Sequence, residues 1–169
     1  MYYYRISKYN PKYRNSSGDY VLEDWTSYSD IGETFFNKEL TLEKYRIVEN
    51  LFIDVVIFAM KETQQDFLIV SELEKIVDKN SILNVGSESY TFYKNVHNNA
   101  RISLKEIPLF MKLQLREYLW GKLVSENLSI HFGYDYYMYM ISSKRLNKLI
   151  DLFYKKGIYI EENFRSPYE

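Results

Sequence analysis

The stretch LSIHFGYDYYMYMI, residues 128–141, decides the fold class because the character of its side chains alternates at every position. Apolar or aromatic residues occupy one set of positions, namely Ile130, Phe132, Tyr134, Tyr136, Met138 and Met140. The intervening positions are Ser129, His131, Gly133, Asp135, Tyr137 and Tyr139. Successive side chains of a β-strand point to opposite faces of the sheet. The period of two therefore predicts one strand with a core face and a polar or half-exposed face.

Helical periodicity appears on both sides of this strand. Apolar residues in steps of three and four predict a helix over residues 41–63, with Thr41 as its N-cap. Residues 103–106 have the form of a capping box, and an apolar stripe from Leu109 to Val124 predicts a second helix behind it. Residues 146–153 predict a third, shorter helix.

Further strands are expected at residues 2–8, 67–70, 89–93 and 158–162, which are rich in β-branched and aromatic side chains. Residues 71–74 have the form of a capping box for a short helix. Strands and helices do not alternate one for one, and several strands have one polar face. This pattern favours an α+β fold, a mainly antiparallel sheet with about three main helices packed on one face, over a parallel α/β fold.

Composition limits the class of protein. At 169 residues the chain fits a single domain covering residues 1–169. The aromatic content of 18% suits a half-buried sheet or an interface. The absence of cysteine excludes disulfides, thiolate metal sites and a cysteine nucleophile. No apolar run is long enough to span a membrane, and the first residues lack the order of a secretion signal, so we expect a cytoplasmic protein.

The net charge of −1 argues against a nucleic-acid binder, since phosphate neutralisation needs a basic surface. The charge is unevenly distributed, however. Residues 31–80 hold 6 basic and 10 acidic side chains, whereas residues 81–125 hold 6 basic and 3 acidic ones. Two interpretations remain open: an acidic face for a basic partner, or two segments that neutralise each other in the fold.

No motif identifies an active site. The two histidines are His131 and His97. His131 and Asp135 share a strand face, but four residues of regular strand span roughly 13 Å, too far for a direct dyad. We expect His131 to be half-exposed and His97 to lie in a turn at residues 95–99. No Gly-rich phosphate loop, nucleophile elbow or metal-ligand spacing occurs, so no catalytic residue, metal or cofactor is expected.

The polar face of the strand carries Asp135, Tyr137 and Tyr139, and three interpretations are open. Tyrosines on a strand stack on bases in single-strand binders, but the basic groove those proteins need is missing. Tyrosine with a carboxylate suits a basic protein partner. In the third interpretation these side chains have no binding role, because a helix of the protein itself covers this face. Residues 19–37 are predicted to form an ordered loop, in which Trp25 is either a buried anchor or an exposed contact residue.

Five stretches carry a resemblance to known proteins: YYRISKYNP (residues 3–11), DWTSYSDIG (24–32), LRE with Trp120 (115–120), HFGYDYYMY (131–139) and SPY (166–168). They resemble small bacterial proteins of uncharacterised function over nearly the whole chain. That group is similar to immunity proteins, the cytoplasmic antidotes encoded beside secreted polymorphic toxins. The resemblance implies a non-catalytic protein that binds a toxin domain and occludes its active site.

On this hypothesis the acidic segment and the Tyr/Asp strand face bind a basic toxin domain. The candidate residues are the acids Asp24, Asp30, Glu43, Asp54 and Asp135, with Trp25 and Tyr137 as aromatic anchors. Two alternatives remain. One is a small enzyme with a site assembled by folding near His131, and the other is a structural or regulatory protein that self-associates through an exposed strand edge.

Overall fold

The computed structural model describes residues 1–76 and 85–169. Its strands are β1 (Tyr2–Ser7), β2 (Thr34–Phe35), β3 (Lys38–Glu39), β4 (Phe67–Lys75), β5 (Arg101–Ser103), β6 (Leu119–Val124), β7 (Leu128–Phe132), β8 (Tyr137–Ser142) and β9 (Tyr159–Glu162). Its α-helices are α1 (Leu42–Glu62), α2 (Ser87–Asn95), α3 (Ile107–Leu115) and α4 (Asn147–Tyr154). None of the helices in this part of the chain has the length and apolar character needed to cross a bilayer.

Seven of the strands form one antiparallel sheet in the order β5-β4-β6-β7-β8-β1-β9, and β2 and β3 form a separate hairpin. One face of the sheet lies in the core. Tyr4, Met140, Ile130, Leu123 and Val70 are register neighbours across five strands, and all five are fully buried. Helices α1, α3 and α4 contact the sheet or one another, while α2 packs against α3. The predicted α+β fold is confirmed.

Helix α1 forms where the apolar stripe predicts it. The Thr41 hydroxyl accepts a hydrogen bond from the Lys44 backbone N–H, which satisfies one of the free donors of the first turn. At the other end the Thr63 hydroxyl donates to the Ala59 carbonyl oxygen at 2.7 Å. The helix spans the sheet with its buried stripe, including Tyr45 and Phe52, in the core.

The predicted strand at residues 89–93 is wrong, because these residues belong to α2. Ser89 and Tyr93 are the buried residues of this helix. They are four apart, so both lie on the side that faces the protein. Aromatic residues there satisfy a helical as well as an extended pattern, and packing against α3 decides between them.

The predicted short helix at residues 71–74 is also wrong, because β4 continues through this stretch to Lys75. Pairing with β6 resumes at Glu74 after an irregularity in which Glu72 has a left-handed backbone with φ of 54°. Strand pairing with distant residues therefore overrides the local capping pattern.

The helix expected up to Val124 ends much earlier. The carboxylate of Glu106 accepts hydrogen bonds from the backbone and side chain of Ser103, and α3 follows it. The helix stops at Leu115, and Glu117 adopts a left-handed backbone with φ of 62°. Beyond this turn, alternate residues of β6 are buried. The apolar positions of β6 happened to continue the helical stripe, so periodicity alone did not show the break.

The alternating stretch at residues 128–141 is two strands rather than one. A tight turn at residues 133–136 joins β7 to β8, with Tyr137 N–H donating to the Tyr134 carbonyl. A Cβ atom on Gly133 would lie 3.2 Å from the backbone oxygen and Cβ of Tyr137 and from a ring carbon of Tyr139. Phe132 and Met138 are cross-strand neighbours and both buried, so the alternation continues in phase through the turn. This is why the sequence pattern conceals it.

The segment after β9 crosses the outer face of the sheet. Phe164 lies 3.8 Å from the Arg5 guanidinium, Ser166 bonds to His131, and Tyr168 packs against Tyr139. The prediction of a half-exposed His131 is therefore wrong: the side chain is buried under this segment.

Candidate functional site

Trp25 anchors the loop at residues 15–37 to the body of the protein. Its side chain is only 8% exposed, and its ring lies 4.8 Å from the ring of Tyr136 and 5.6 Å from that of Tyr45. Tyr136 donates a hydrogen bond to the Tyr45 hydroxyl, which donates to the Leu115 carbonyl at 3.1 Å. Burial raises the pKa of both tyrosines, so both phenols keep their protons. Of the two interpretations of Trp25, the structure shows the buried anchor.

Asp24 is bound to a buried lysine. The Lys8 ammonium lies 2.6 Å from the Asp24 carboxylate, and its nitrogen is 4.3 Å from the Tyr9 ring centroid and 4.2 Å from that of Trp25. Burial lowers the pKa of Lys8 to about 8, although Asp24 acts in the opposite direction. At neutral pH Lys8 is still positively charged, so it largely neutralises the charge of Asp24.

Asp30 stabilises the loop from its interior. Its carboxylate accepts hydrogen bonds from the backbone N–H groups of Thr26 at 2.7 Å and Ser27 at 3.0 Å. The bond from Ser27 is part of the capping box of the 3₁₀-helix Tyr28–Asp30. The predicted binding residues Asp24, Trp25 and Asp30 therefore give the loop one defined conformation.

Asp135 lies exposed in the turn between β7 and β8. It and Tyr136 have φ angles of 54° and 60°, a left-handed backbone that side chains other than glycine adopt at a cost of roughly 1 kcal/mol or more. The buried ring of Tyr136 holds the turn in place against this strain. Tyr137 is half-buried, and its hydroxyl accepts a hydrogen bond from Arg14 at 3.0 Å. The turn thus presents Asp135 to solvent on a fixed backbone.

The loop and this turn border two concave sites that share Asp135. A polar groove of about 440 Å³ is lined by Asp24, Asp135 and Tyr137 of the predicted set, together with Arg5, Arg14 and Asp19 among others. A cavity of about 260 Å³ lies on the other side of the turn and is lined by Thr26, Ser27, Glu117, Trp120, Tyr134 and Asp135 among others. Folding therefore brings together residues that are about 110 positions apart in the chain.

Glu43 and Asp54 lie elsewhere, on the exposed side of α1. At 100° per residue, positions 43, 47 and 54 fall on one stripe, and Ile47 between the two acids is 58% exposed. The two carboxylates are separated by about 16 Å along the helix axis. The seven predicted residues therefore form two groups, five around the loop and turn and two on α1.

The sequence prediction missed the exposed acids of the loop. Between Arg14 and Lys38 the chain holds five acidic residues and no basic one. Ser27 donates a hydrogen bond to Glu117 at 2.8 Å, which joins the loop to the turn after α3. We use the term acidic rim for Asp19, Glu23, Asp24, Asp30, Glu33, Glu117 and Asp135. This run of acids is visible in the sequence. The sequence prediction counted charges from residue 31 onwards, so it included only part of the loop.

Two exposed aromatic residues accompany the rim. Phe36 is 61% exposed in the two-residue turn between β2 and β3, with φ of 48°, followed by Asn37 with φ of 59°. Turns with two left-handed residues favour asparagine and glycine, so an exposed phenylalanine contributes little to this turn. Tyr134 is 73% exposed and stacks on Trp120 with ring centroids 5.4 Å apart.

The histidines have structural partners. His131 Nδ1 is 2.8 Å from the Ser166 hydroxyl, which also accepts a hydrogen bond from the Tyr168 backbone N–H. Burial lowers the pKa of His131. His97 is exposed, and its Nδ1 lies 2.8 Å from the Asn98 carbonyl. Among residues 1–76 and 85–169, no group of three or more His, Asp or Glu side chains is arranged to hold a metal ion.

Comparison with known proteins adds no relative: no protein-family model, curated protein sequence or solved structure matches this chain.

Proposed function

We propose that this protein is a non-catalytic binding module that occludes a basic surface of a protein partner. The observation that carries the proposal is the acidic rim, a loop with five acids and no base that a buried tryptophan holds in one conformation. In its more specific form, the protein is a cytoplasmic immunity protein and the partner is a bacterial toxin domain with a basic substrate cleft.

Two of the cations beside the rim have carboxylate partners of their own. Arg116 binds Glu49 through two hydrogen bonds of 2.7 Å. Arg14 and Arg5 share the single carboxylate of Glu161, at 3.5 Å and 2.9 Å, so these two guanidinium groups leave one positive charge in the polar groove. Lys8 is similarly held by Asp24. By contrast Asp19, Glu23, Glu33, Glu117 and Asp135 are exposed. An exposed acidic field of this kind accelerates association with a basic protein and disfavours acidic ones.

The fixed conformation of the loop supports tight binding. A flexible loop loses conformational freedom when it binds, and this loss weakens affinity. Here the Trp25 ring, the Lys8–Asp24 ion pair and the Asp30 capping bonds order the loop in the free protein. Phe36 and Tyr134 add the exposed aromatic area that characterises the centres of protein interfaces.

The test is a pull-down of the tagged protein with the product of the neighbouring gene, followed by calorimetry on the complex. The rim variant is Glu23→Lys/Glu33→Lys/Asp135→Asn, in which asparagine tolerates the left-handed backbone at position 135. The matched control is Glu88→Lys/Glu126→Lys/Asp151→Asn. It makes the same charge changes at exposed positions on α2, after β6 and on α4, respectively.

We expect the rim variant to bind about 100-fold more weakly, because each lost charge contact is worth roughly 1 kcal/mol, while the control binds like the natural protein. We also expect the affinity of the natural protein to fall with added salt. If both variants bound the partner equally weakly, the loss of affinity would come from the change in net charge and not from the position of the acidic rim. A rim variant with full affinity would refute the proposal.

A further inference from the structure

The cavity beside the β7–β8 turn combines an aromatic wall with two carboxylates. Trp120 and Tyr134 form the wall, with ring centroids 5.4 Å apart and ring planes inclined by 28°. Glu117 and Asp135 also line the cavity, and both residues are exposed. The Ser27 hydroxyl donates to one oxygen of Glu117, which orients this carboxylate. The cavity is therefore lined by two aromatic side chains and by two carboxylates.

This combination of groups recognises an organic cation. The face of an aromatic ring attracts a cation through its quadrupole, most strongly for tryptophan, and a carboxylate supplies the opposite charge. A cation of the described residues close to this cavity, Arg116, is bound to Glu49 and lies 5.4 Å from the ring of Tyr28. The Arg116 guanidinium therefore pairs with Glu49 and does not occupy the cavity.

The size and shape of the cavity select among cations. Its volume of about 260 Å³ is below the roughly 300–1,000 Å³ of sites for small-molecule ligands, so it suits a single side chain. A guanidinium group is planar, stacks on aromatic rings and binds carboxylates with two parallel hydrogen bonds. An ammonium group is a compact and strongly hydrated charge that gains less from stacking on aromatic rings. The geometry favours the guanidinium.

We propose that this cavity binds the guanidinium group of an arginine side chain presented by the basic protein partner. The identity of the partner rests on the proposed function, but the recognition of guanidinium does not. The side chain stacks on the Trp120–Tyr134 wall and donates hydrogen bonds to Asp135 and Glu117. The acidic rim then makes one specific contact with the partner in addition to the effect of its overall charge.

The test uses N-acetyl-argininamide as the probe and the ¹⁵N-labelled full-length protein as the receptor. The chain has two tryptophans, so its spectrum contains two indole N–H signals, which a Trp120→Phe variant assigns. We expect the probe to shift the Trp120 signal with a dissociation constant of roughly 1 mM, typical of a single side chain in isolation. The buried Trp25 serves as the internal control and is expected not to shift.

Two analogues and three variants decide the outcome. N-acetyl-citrullinamide has the same shape without the charge, and we expect at least tenfold weaker binding; N-acetyl-lysinamide is expected to be weaker than the arginine derivative. Asp135→Asn and Tyr134→Leu should reduce binding at least fivefold, whereas Glu88→Gln on α2 should not change it. Equal binding of the citrulline derivative, equal binding of the lysine derivative, or full binding by both cavity variants would overturn the proposal.

The probe experiment separates this inference from the proposed function. If the probe does not shift Trp120 while the rim variant still loses its partner, the acidic rim acts through its overall charge and the guanidinium site is refuted. If the probe binds selectively while the rim variant keeps full affinity for the partner, the cavity is a guanidinium site and the proposed mode of partner binding fails.

Discussion

The ion pair between Glu49 and Arg116 allows a quantitative test of how the loop is supported. Glu49 is 1% exposed on α1, and both of its oxygens accept hydrogen bonds of 2.7 Å from the Arg116 guanidinium. This bonding raises the pKa of Arg116. The guanidinium also lies 5.4 Å from the ring of Tyr28, within the acidic loop. The pair therefore connects α1, the end of α3 and the loop.

Replacing Arg116 with methionine would leave the Glu49 carboxylate buried without its partner. The loss of one member of a buried pair costs about 3–5 kcal/mol, a large part of the roughly 5–15 kcal/mol by which domains are stable. For a chain of 169 residues this corresponds to a fall of roughly 10 °C in Tm. We expect Arg116→Met to show this loss in urea unfolding followed by circular dichroism.

The double variant Glu49→Leu/Arg116→Met provides the decisive comparison. It removes both charges, so no unpaired carboxylate remains, and we expect it to be more stable than Arg116→Met alone. Arg145→Met is the control, because Arg145 forms a similar two-bond pair with Glu162 on the surface, and its loss should be small. Two results would show that burial does not set the cost: Arg116→Met being no more destabilised than Arg145→Met, or the double variant being no more stable than Arg116→Met.

Three further predictions concern the loop and the outer face of the sheet. Phe36→Asn should raise the free energy of unfolding by about 0.5–1 kcal/mol, because asparagine tolerates the left-handed turn; a stability loss in chemical denaturation would contradict this. Trp25→Ala should cost about 3–5 kcal/mol by the same assay, since it removes a buried ring; a loss below 1 kcal/mol would show that the loop does not depend on its anchor. The pKa of His131 is lowered in the folded protein, so between that lowered pKa and the ordinary value of about 6.5 the unfolded chain binds a proton that the folded protein does not. In that range the free energy of unfolding should fall with falling pH, by up to about 1.4 kcal/mol per pH unit. His131→Asn should flatten this dependence just below pH 6.5, and an unchanged slope would show that other groups cause it.

The sequence alone determined the elements whose patterns are local and unambiguous. The long apolar stripe with its threonine cap predicts α1 almost to the residue, and the first and last strands are equally clear. The α+β class follows from these elements, because burial on one side of a strand or helix is visible as periodicity. The predictions failed at α2 and at β6, where aromatic and apolar residues satisfy two periods at once.

Only the tertiary structure decided what the candidate residues do. The same residue type, aspartate, caps backbone at position 30, neutralises a buried lysine at position 24 and is exposed on a turn at position 135. The difference depends on partners far along the chain, which no local pattern reports. The cavity beside the β7–β8 turn likewise combines side chains from distant parts of the chain, namely Thr26, Ser27, Ile76, Gln114, Leu115, Glu117, Trp120 and residues 132–137. Periodicity reflects the side of an element that is buried, whereas a binding site depends on the distances between elements, and those arise only when the sheet, the helices and the loop pack together.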